Sequence, residues 1–171
     1  MQYSKIKFSF IICTLNRSDF LERCLNSIIN NKFKNIEIII IDQSLQSNNI
    51  YKDSRIKYFH VNFRGLSKSR NFAIKKVTGD IICIMDDDAY IDSRYFLDII
   101  KKLENFKFEI GIGIIKNIED NELFSRYMDL KIKSISSFNF DRCLSSVMFF
   151  KKSVLKKIGS FDVAFGVGSK F

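Results

Sequence analysis

Three consecutive aspartates, Asp86, Asp87 and Asp88, are the residues of this sequence whose types and spacing best suit chemistry. In an extended chain alternate side chains share a face, so Asp86 and Asp88 are expected to point one way and Asp87 the other. Neighbouring carboxylates repel each other unless a cation relieves them, and hard oxygens suit Mg²⁺ or Mn²⁺. An isolated triplet is more often an acidic turn without a ligand. A triplet that follows a buried parallel strand is better explained as a metal site.

A second candidate is the segment 65–71, which reads Gly-Leu-Ser-Lys-Ser-Arg-Asn. It combines the flexible Gly65 with a predicted helix start and two cations. The free N–H groups and the dipole of a helix N-terminus favour an anion. Arg70 has the geometry to donate two parallel hydrogen bonds to a diphosphate. An exposed basic helix start is the commoner explanation of such a segment in isolation.

Asp42 is a third candidate because it closes the apolar run at residues 36–41. Its carboxylate can accept hydrogen bonds from a nucleobase or a ribose. A loop aspartate or a helix N-cap explains the same residue equally well, so both alternatives stay open at this point.

Runs of apolar and β-branched residues predict strands that alternate with helices. The strands are expected at residues 8–14, 36–41, 56–61, 81–85, 110–115 and 144–150. A helix is expected to begin at Asp19, with Glu22 as its capping partner. Further helices are predicted at residues 66–78, ended by Gly79, at 93–103, and at 151–158, capped by Gly159. Residues 117–139 fit a helix plus a long loop.

The order of these elements predicts the fold. Strands that are apolar at nearly every position, as at 36–41 and 81–85, indicate burial on both faces and hence parallel strands covered by helices. We therefore predict an α/β, Rossmann-like fold with a mainly parallel central sheet, in a single domain over residues 1–171. Ligands of such sheets bind beyond the carboxyl ends of the strands, which is where the candidate residues fall.

Composition narrows the classes of protein. The 171 residues are 46% hydrophobic and carry a net charge of +9, which attracts phosphates, nucleic acid or anionic lipid without choosing among them. The densest basic group is at residues 151–157, where a solvated helix face is the simpler explanation. The single histidine, the separated cysteines and the absence of GxxxxGK[ST] and GxGxxG argue against zinc, triad, P-loop and dinucleotide sites. No run approaches the length of a membrane span, which favours a cytoplasmic protein.

Five segments together resemble family 2 glycosyltransferases of the GT-A fold. Residues 10–17 resemble the opening strand of that family, and residues 37–42 its second strand with a nucleotide-binding aspartate. Residues 65–71 resemble its G-x-x-x-A-R-N segment, and residues 78–88 the strand that leads into its DxD motif. Residues 159–162, Gly-Ser-Phe-Asp, are similar to its G-G-F-D segment. The segments keep the order of the family.

The resemblance implies a function and roles for residues. It implies an inverting transfer of sugar from a UDP- or dTDP-sugar to a saccharide or lipid-linked acceptor in surface glycan synthesis, at the inner face of the membrane. A divalent metal, Mn²⁺ or Mg²⁺, is implied at Asp88 and Asp86. Residues implied to bind the donor nucleotide are Thr14, Asn16, Asp42, Gly65, Arg70, Asp86 and Asp87.

The sequence departs from the family pattern in three places. Gln43 stands where many members carry a second acid, and Ser69 replaces the usual alanine before Arg70. The chain stops where members continue into the acidic segment that supplies the general base. We therefore expect the base beyond Phe171 and a domain that is incomplete at its C-terminus.

Other functions are weighed against this one. A catalytically inactive nucleotide-sugar-binding remnant or interaction module is the main alternative, because the base segment is missing. A nucleotidyltransferase ranks low, because Thr14 is followed by no glycine-rich loop. A nucleic-acid binder rests only on the charge, without a basic and aromatic pattern of a known module, so no nucleic acid is expected.

Overall fold

The strands form one sheet in the computed structural model, which describes residues 5–47, 51–92, 109–123 and 146–168. Its strand order is β3-β2-β1-β4-β6-β5. The strands β1 to β4 pair in parallel, whereas β6 is antiparallel to both β4 and β5. This confirms a mainly parallel α/β sheet. The strands are β1 (Phe8–Thr14), β2 (Ile36–Asp42), β3 (Ile56–His60), β4 (Ile81–Asp86), β5 (Ile110–Ile112) and β6 (Val147–Lys151).

Helices cover both faces of the central strands. The helix α1 spans Ser18–Ile29, α2 spans Leu66–Ile74, and a 3-10 turn at Lys152–Val154 leads into α3, Leu155–Ile158. Side chains of β1 alternate between two cores, as the period of a strand requires. Phe8, Phe10 and Ile12 pack with the buried face of α1, and Ile11 packs with Ala73 of α2. The continuous apolar runs are therefore explained by burial on both sides.

Two predicted helix boundaries are wrong. The helix α2 ends at Ile74 and not at residue 78, because Val77 packs into the core and the backbone N–H of Thr78 donates to Glu37. The first helix begins at Ser18 after Arg17, without a side-chain cap, so the predicted capping role of Asp19 and Glu22 is also wrong. Tertiary contacts decide the end of α2.

Gly79 has a different role from the predicted one. It does not end α2. It lies against β1, where an added Cβ would approach the Lys7 carbonyl oxygen to 2.7 Å and the Ser9 hydroxyl to 2.6 Å. Gly159, by contrast, ends α3 with φ 76°, which confirms its predicted position.

The helix predicted at 151–158 is only partly confirmed, because Lys151 ends β6 and a 3-10 turn at Lys152–Val154 precedes the α-helical residues Leu155–Ile158. The other described strands lie where they were predicted, with differences at their ends. The first strand matches its predicted bounds, and β5 and β6 are shorter or shifted at their ends. The predicted helix at 93–103 and the part of the 117–139 segment from residue 124 onward lie outside the described residues.

Candidate functional site

The central strands bring the predicted residues to one edge of the sheet. The strand β1 lies between β2 and β4, so the strand order reverses there and opens a crevice beyond the carboxyl ends. The register places Thr14 beside Asp42 on one side and Cys13 beside Asp86 on the other. Residues that are far apart in sequence thus share one edge.

The aspartate triplet is divided between the interior and the surface. Asp87 is buried, and its carboxylate accepts hydrogen bonds from the Thr14 hydroxyl at 2.8 Å and from Arg17 Nη1 at 2.9 Å. Asp88 is exposed and pairs with Arg17 Nη2 at 2.7 Å. Asp86 is partly exposed and lies 3.3 Å from Arg70 Nη2. Alternation along the chain explains why Asp87 points inward and its two neighbours do not.

Asp87 acts as an internal anchor for the first loop. Burial raises the pKa of its carboxyl, while the Thr14 hydrogen bond and the Arg17 charge oppose that shift. Both of its oxygens are engaged within the protein. Its implied contact with a donor nucleotide stays a prediction.

Asp42 lies at the base of a cleft of about 430 Å³ that Thr14 and Asn16 also line. Its carboxylate accepts hydrogen bonds from the Ser44 backbone N–H at 2.8 Å and from the Tyr58 hydroxyl. The bond to the backbone two residues on is typical of a loop aspartate. Asp42 caps no helix, and the same geometry presents it to the cleft, so loop and ligand roles are compatible.

Asn16 shapes the same cleft through its backbone. It has φ 54°, in the left-handed region that asparagine tolerates better than most residues. Its backbone N–H donates to the Ser44 hydroxyl at 2.7 Å, which ties the loop after β1 to the loop after β2.

The start of α2 is covered by the chain itself. Gly65 has φ 118°, which favours glycine, and its N–H donates to Gln43 Oε1 at 2.8 Å. The N–H of Leu66 donates to the Val167 carbonyl at 3.0 Å, and the Ser67 hydroxyl donates to a carbonyl of the same segment at 2.6 Å. Carbonyls of residues 161–168 therefore take the position in which an anion was predicted.

Arg70 is the predicted cation that the fold buries beside the aspartates. It is 5% exposed, and its guanidinium lies 5.7 Å from the centroid of the Phe161 ring. Its Nε has no hydrogen-bond partner among the described residues. The neighbouring Asn71 holds Phe161 with two hydrogen bonds, from Nδ2 to the carbonyl at 2.7 Å and from the Phe161 N–H to Oδ1 at 2.8 Å.

Three contributors to the site were given no role from the sequence. Arg17 links two of the aspartates, Gln43 fixes the backbone of Gly65, and Asn71 holds the segment after α3. Arg17 and Gln43 follow strand ends, which was the available signal. Asn71 lies inside a helix, where the sequence gives no sign of its distant partner.

The carboxylates of the site fit a divalent metal only if a bound substrate supplies further oxygen ligands. Within the described ranges no three His, Cys, Asp or Glu side chains form a preformed metal cluster. Asp86 and Asp88 offer two carboxylates that are 36% and 45% exposed. Exposed carboxylate oxygens of this kind suit Mg²⁺ or Mn²⁺. Water molecules and substrate phosphates would then complete the coordination of the ion.

Comparison with known proteins gives the same family for most of the chain. The model described as glycosyl transferase family 2 matches residues 9–164. A Campylobacter jejuni GalNAc(5)-diNAcBac-PP-undecaprenol beta-1,3-glucosyltransferase is 35% identical over 165 residues, covering 88% of this chain and 53% of that protein. Glycosyltransferase GlyA of Streptococcus pneumoniae is 29% identical over 123 residues, covering 68% of this chain and 18% of that protein. The chain thus spans about half, or less, of these relatives.

Solved structures share the fold. Staphylococcus aureus TarS superimposes with a TM-score of 0.80 at 20% identity, over 95% of this chain and 32% of that one. The Pyrobaculum calidifontis mannosyltransferase PcManGT, in complex with GDP-Man and Mn²⁺, gives a TM-score of 0.69 at 16% identity, over 94% and 49% of the two chains. Identities this low establish the GT-A architecture and no more.

Proposed function

The chain belongs to glycosyl transferase family 2, and we propose that it binds a nucleoside-diphosphate sugar for inverting transfer to an acceptor hydroxyl. The observation that carries the proposal is the single sheet edge at which Arg17 both lines the cleft of about 430 Å³ and pairs with Asp88, while Asp86 beside it pairs with Arg70. A nucleoside and a diphosphate require neighbouring subsites of these two kinds.

The cleft beside β1 is proposed to hold the nucleoside. Thr14, Asn16 and Asp42 line it, with Tyr51 providing an aromatic wall. The buried carboxylate of Asp42 is a hydrogen-bond acceptor, which suits the N–H of a uracil or thymine base. We therefore propose UDP- or dTDP-sugar as the donor. Solved structures of this fold hold UDP-GlcNAc in TarS and GDP-Man in PcManGT, so the fold supports a nucleoside-diphosphate sugar and the choice of base rests on Asp42.

The diphosphate is proposed to lie beside the aspartates. Asp86 and Asp88 would hold Mn²⁺ or Mg²⁺, which supplies Lewis-acid neutralisation of negative charge on the diphosphate. Arg70 adds a fixed positive charge beside Asp86. Because burial restrains Arg70, little reorganisation is needed as charge develops on the leaving group.

The reaction is proposed as a single displacement. The acceptor hydroxyl forms a bond to the anomeric carbon, the bond from that carbon to the diphosphate oxygen breaks, and the configuration inverts. The hydroxyl proton passes to a general base. Our prediction remains that this base is supplied beyond Phe171.

The acceptor is proposed to be a saccharide or a lipid-linked saccharide at the cytoplasmic face of a membrane, in surface glycan synthesis. The name of the Campylobacter relative, which includes an undecaprenol-linked substrate, supports a lipid-linked acceptor. Peripheral contact with the membrane is part of this proposal. No helix within the described residues is long and apolar enough to cross a membrane. Of the basic group at 151–157, Lys152 donates to a backbone carbonyl and Lys157 pairs with Glu109, which leaves fewer charges for lipid.

Calorimetric titration with UDP, with and without Mn²⁺, tests the donor site. We expect Mn²⁺ to strengthen binding in the wild-type chain and Asp88→Asn to abolish that effect. Asp120→Asn, the same change on an exposed turn, is the matched control and should behave as wild type. Equal Mn²⁺ dependence in Asp88→Asn would refute the metal assignment.

An assay of sugar transfer and donor hydrolysis separates the enzyme from the inactive alternative. Release of UDP from a UDP-sugar by the purified chain excludes a catalytically inactive remnant. Donor binding without release or transfer would favour it for this chain.

A further inference from the structure

Arg17 occupies the space between two carboxylates of the aspartate triplet. Its Nη1 lies 2.9 Å from Asp87 and its Nη2 lies 2.7 Å from Asp88, so one guanidinium bridges both. Its backbone is fixed at the start of α1, where the Leu21 N–H donates to the Arg17 carbonyl at 3.0 Å. The side chain is therefore held close to the site from a rigid element.

The two arginines beside the carboxylates differ in their freedom to move. The Arg70 side chain is 6% exposed, so it cannot leave Asp86 without breaking the core around it. The Arg17 side chain is 42% exposed, and its partner Asp88 is 45% exposed. An ion pair this open to water is weak, and its guanidinium can be displaced at small cost.

Arg17 has two further contacts that can hold its side chain in place when a cation binds Asp88. Its Cζ lies 4.9 Å from the centroid of the Phe20 ring, and Nη1 stays bonded to the buried Asp87. A guanidinium that loses Asp88 can thus remain beside the site through these two contacts. A cation–π contact of this kind stabilises an arginine even at an exposed position.

We propose that Arg17 is a resident counter-ion of Asp88 that an incoming divalent cation displaces, so that Arg17 sets the affinity of the aspartates for the metal. The inference rests on the metal subsite of the proposed function and adds a residue to it. Without a metal, Arg17 relieves repulsion among the carboxylates. With one, the like charges of Arg17 and the metal oppose each other at close range.

Mn²⁺ affinity without nucleotide tests this competition. Water-proton relaxation of Mn²⁺ titrations should show Arg17→Gln binding the ion about two- to fivefold more tightly than wild type, the range of an exposed ion pair. Arg17→Lys, which keeps the charge, should stay within about twofold of wild type. Mn²⁺ affinity in Arg17→Gln that is equal to or weaker than in wild type would overturn the proposal.

A matched control and a double variant isolate the carboxylate contact. Arg23 also lies over the Phe20 ring, at 5.8 Å, and forms no ion pair with the aspartates in the described part of the chain. Arg23→Gln removes the same charge and should leave Mn²⁺ affinity at the wild-type value. In an Asp88→Asn background, which is expected to bind Mn²⁺ poorly, adding Arg17→Gln should not restore Mn²⁺ binding. Restored binding there would contradict the assignment to Asp88.

A measurement on the wild-type chain guards against misfolding of the Arg17 variant. The NMR resonance of the Arg17 Nε–H group should shift as Mg²⁺ is added. The Mg²⁺ dissociation constant from this shift should equal the one measured from the displacement of bound Mn²⁺ by Mg²⁺. Mg²⁺ that displaces Mn²⁺ without moving this resonance would refute the inference while leaving the metal site intact. A wild-type chain that binds no Mn²⁺, even with UDP, would instead refute the metal site of the proposed function and this inference with it.

Discussion

Replacing Glu37 by Gln should destabilise the fold, because Glu37 is a buried carboxylate that many donors satisfy. Its Oε1 accepts from the Ser9 hydroxyl at 2.5 Å and from the backbone N–H groups of Thr78 at 2.6 Å and Gly79 at 3.2 Å. Its Oε2 accepts from the Thr78 hydroxyl at 2.8 Å and from Lys57 at 2.7 Å. A glutamine oxygen can replace Oε1, but its NH₂ group would face the Lys57 ammonium.

The size of the effect follows from which contacts survive. The backbone donors keep an acceptor, so the loss is confined to the charge-assisted bonds on Oε2. The Lys57 side chain is 42% exposed and can turn to water, which limits the penalty. We expect the free energy of unfolding to fall by about 2 kcal/mol, within the range for hydrogen bonds to charged groups.

The same variant should lose a pH dependence. Burial raises the pKa of the Glu37 carboxyl, but hydrogen bonds from Lys57, Ser9 and Thr78 outweigh it and hold the pKa well below its ordinary 4.5. The folded pKa is depressed, so the stabilisation is present above 4.5 and is lost as pH falls below that value. The difference between wild type and Glu37→Gln should narrow as the pH falls below 4.5, by at most about 1.4 kcal/mol for each pH unit, until the difference of about 2 kcal/mol is lost.

Urea unfolding followed by circular dichroism, at pH 7 and at steps below pH 4.5, measures both effects. Glu109→Gln is the matched control, since Glu109 pairs with Lys157 on the surface and its loss should not measurably change stability. Unchanged stability of Glu37→Gln at pH 7, or a gap that does not narrow in acid, would refute the reasoning.

Two further predictions concern packing against β1 and α2. Gly79→Ala should lower the free energy of unfolding by about 1–3 kcal/mol, because the new methyl group meets the Lys7 carbonyl. A urea unfolding curve identical to that of the wild type would contradict this. Asn71→Ala should speed hydrogen exchange at the Phe161 amide by about tenfold, because that amide loses the Asn71 oxygen as its hydrogen-bond acceptor. Exchange at the wild-type rate would show that Asn71 does not hold the segment after α3.

The central sheet could be predicted because its signal is local. The strands β1, β2 and β4 are apolar at almost every position, and their burial on both faces follows from that pattern alone. The end of α2 could not be predicted in the same way. Residues 75–78 are compatible with a helix, yet Thr78 is drawn to a carboxylate on β2 that lies 41 residues earlier in the chain.

The site shows the same division between local and distant information. The rule that ligands bind beyond parallel strands was sufficient to collect Thr14, Asp42 and the aspartates at one edge. The side-chain pairs within the site could not be predicted from the sequence. The pair of Arg17 and Asp87, for example, joins residues that lie 70 positions apart. Patterns of residue type locate such a site, while the choice of partner depends on the packed loops.

The two edges of the sheet use carboxylates in opposite ways, and this separates stability from function. At the amino ends of the strands Glu37 is buried among donors from three segments, and both of its oxygens are satisfied. At the carboxyl ends Asp86 and Asp88 remain partly in water, each with one arginine. A satisfied buried carboxylate resists exchange of partners, whereas an exposed one can exchange a guanidinium for another cation. Variants at the first edge should therefore change unfolding, and variants at the second should change ligand binding.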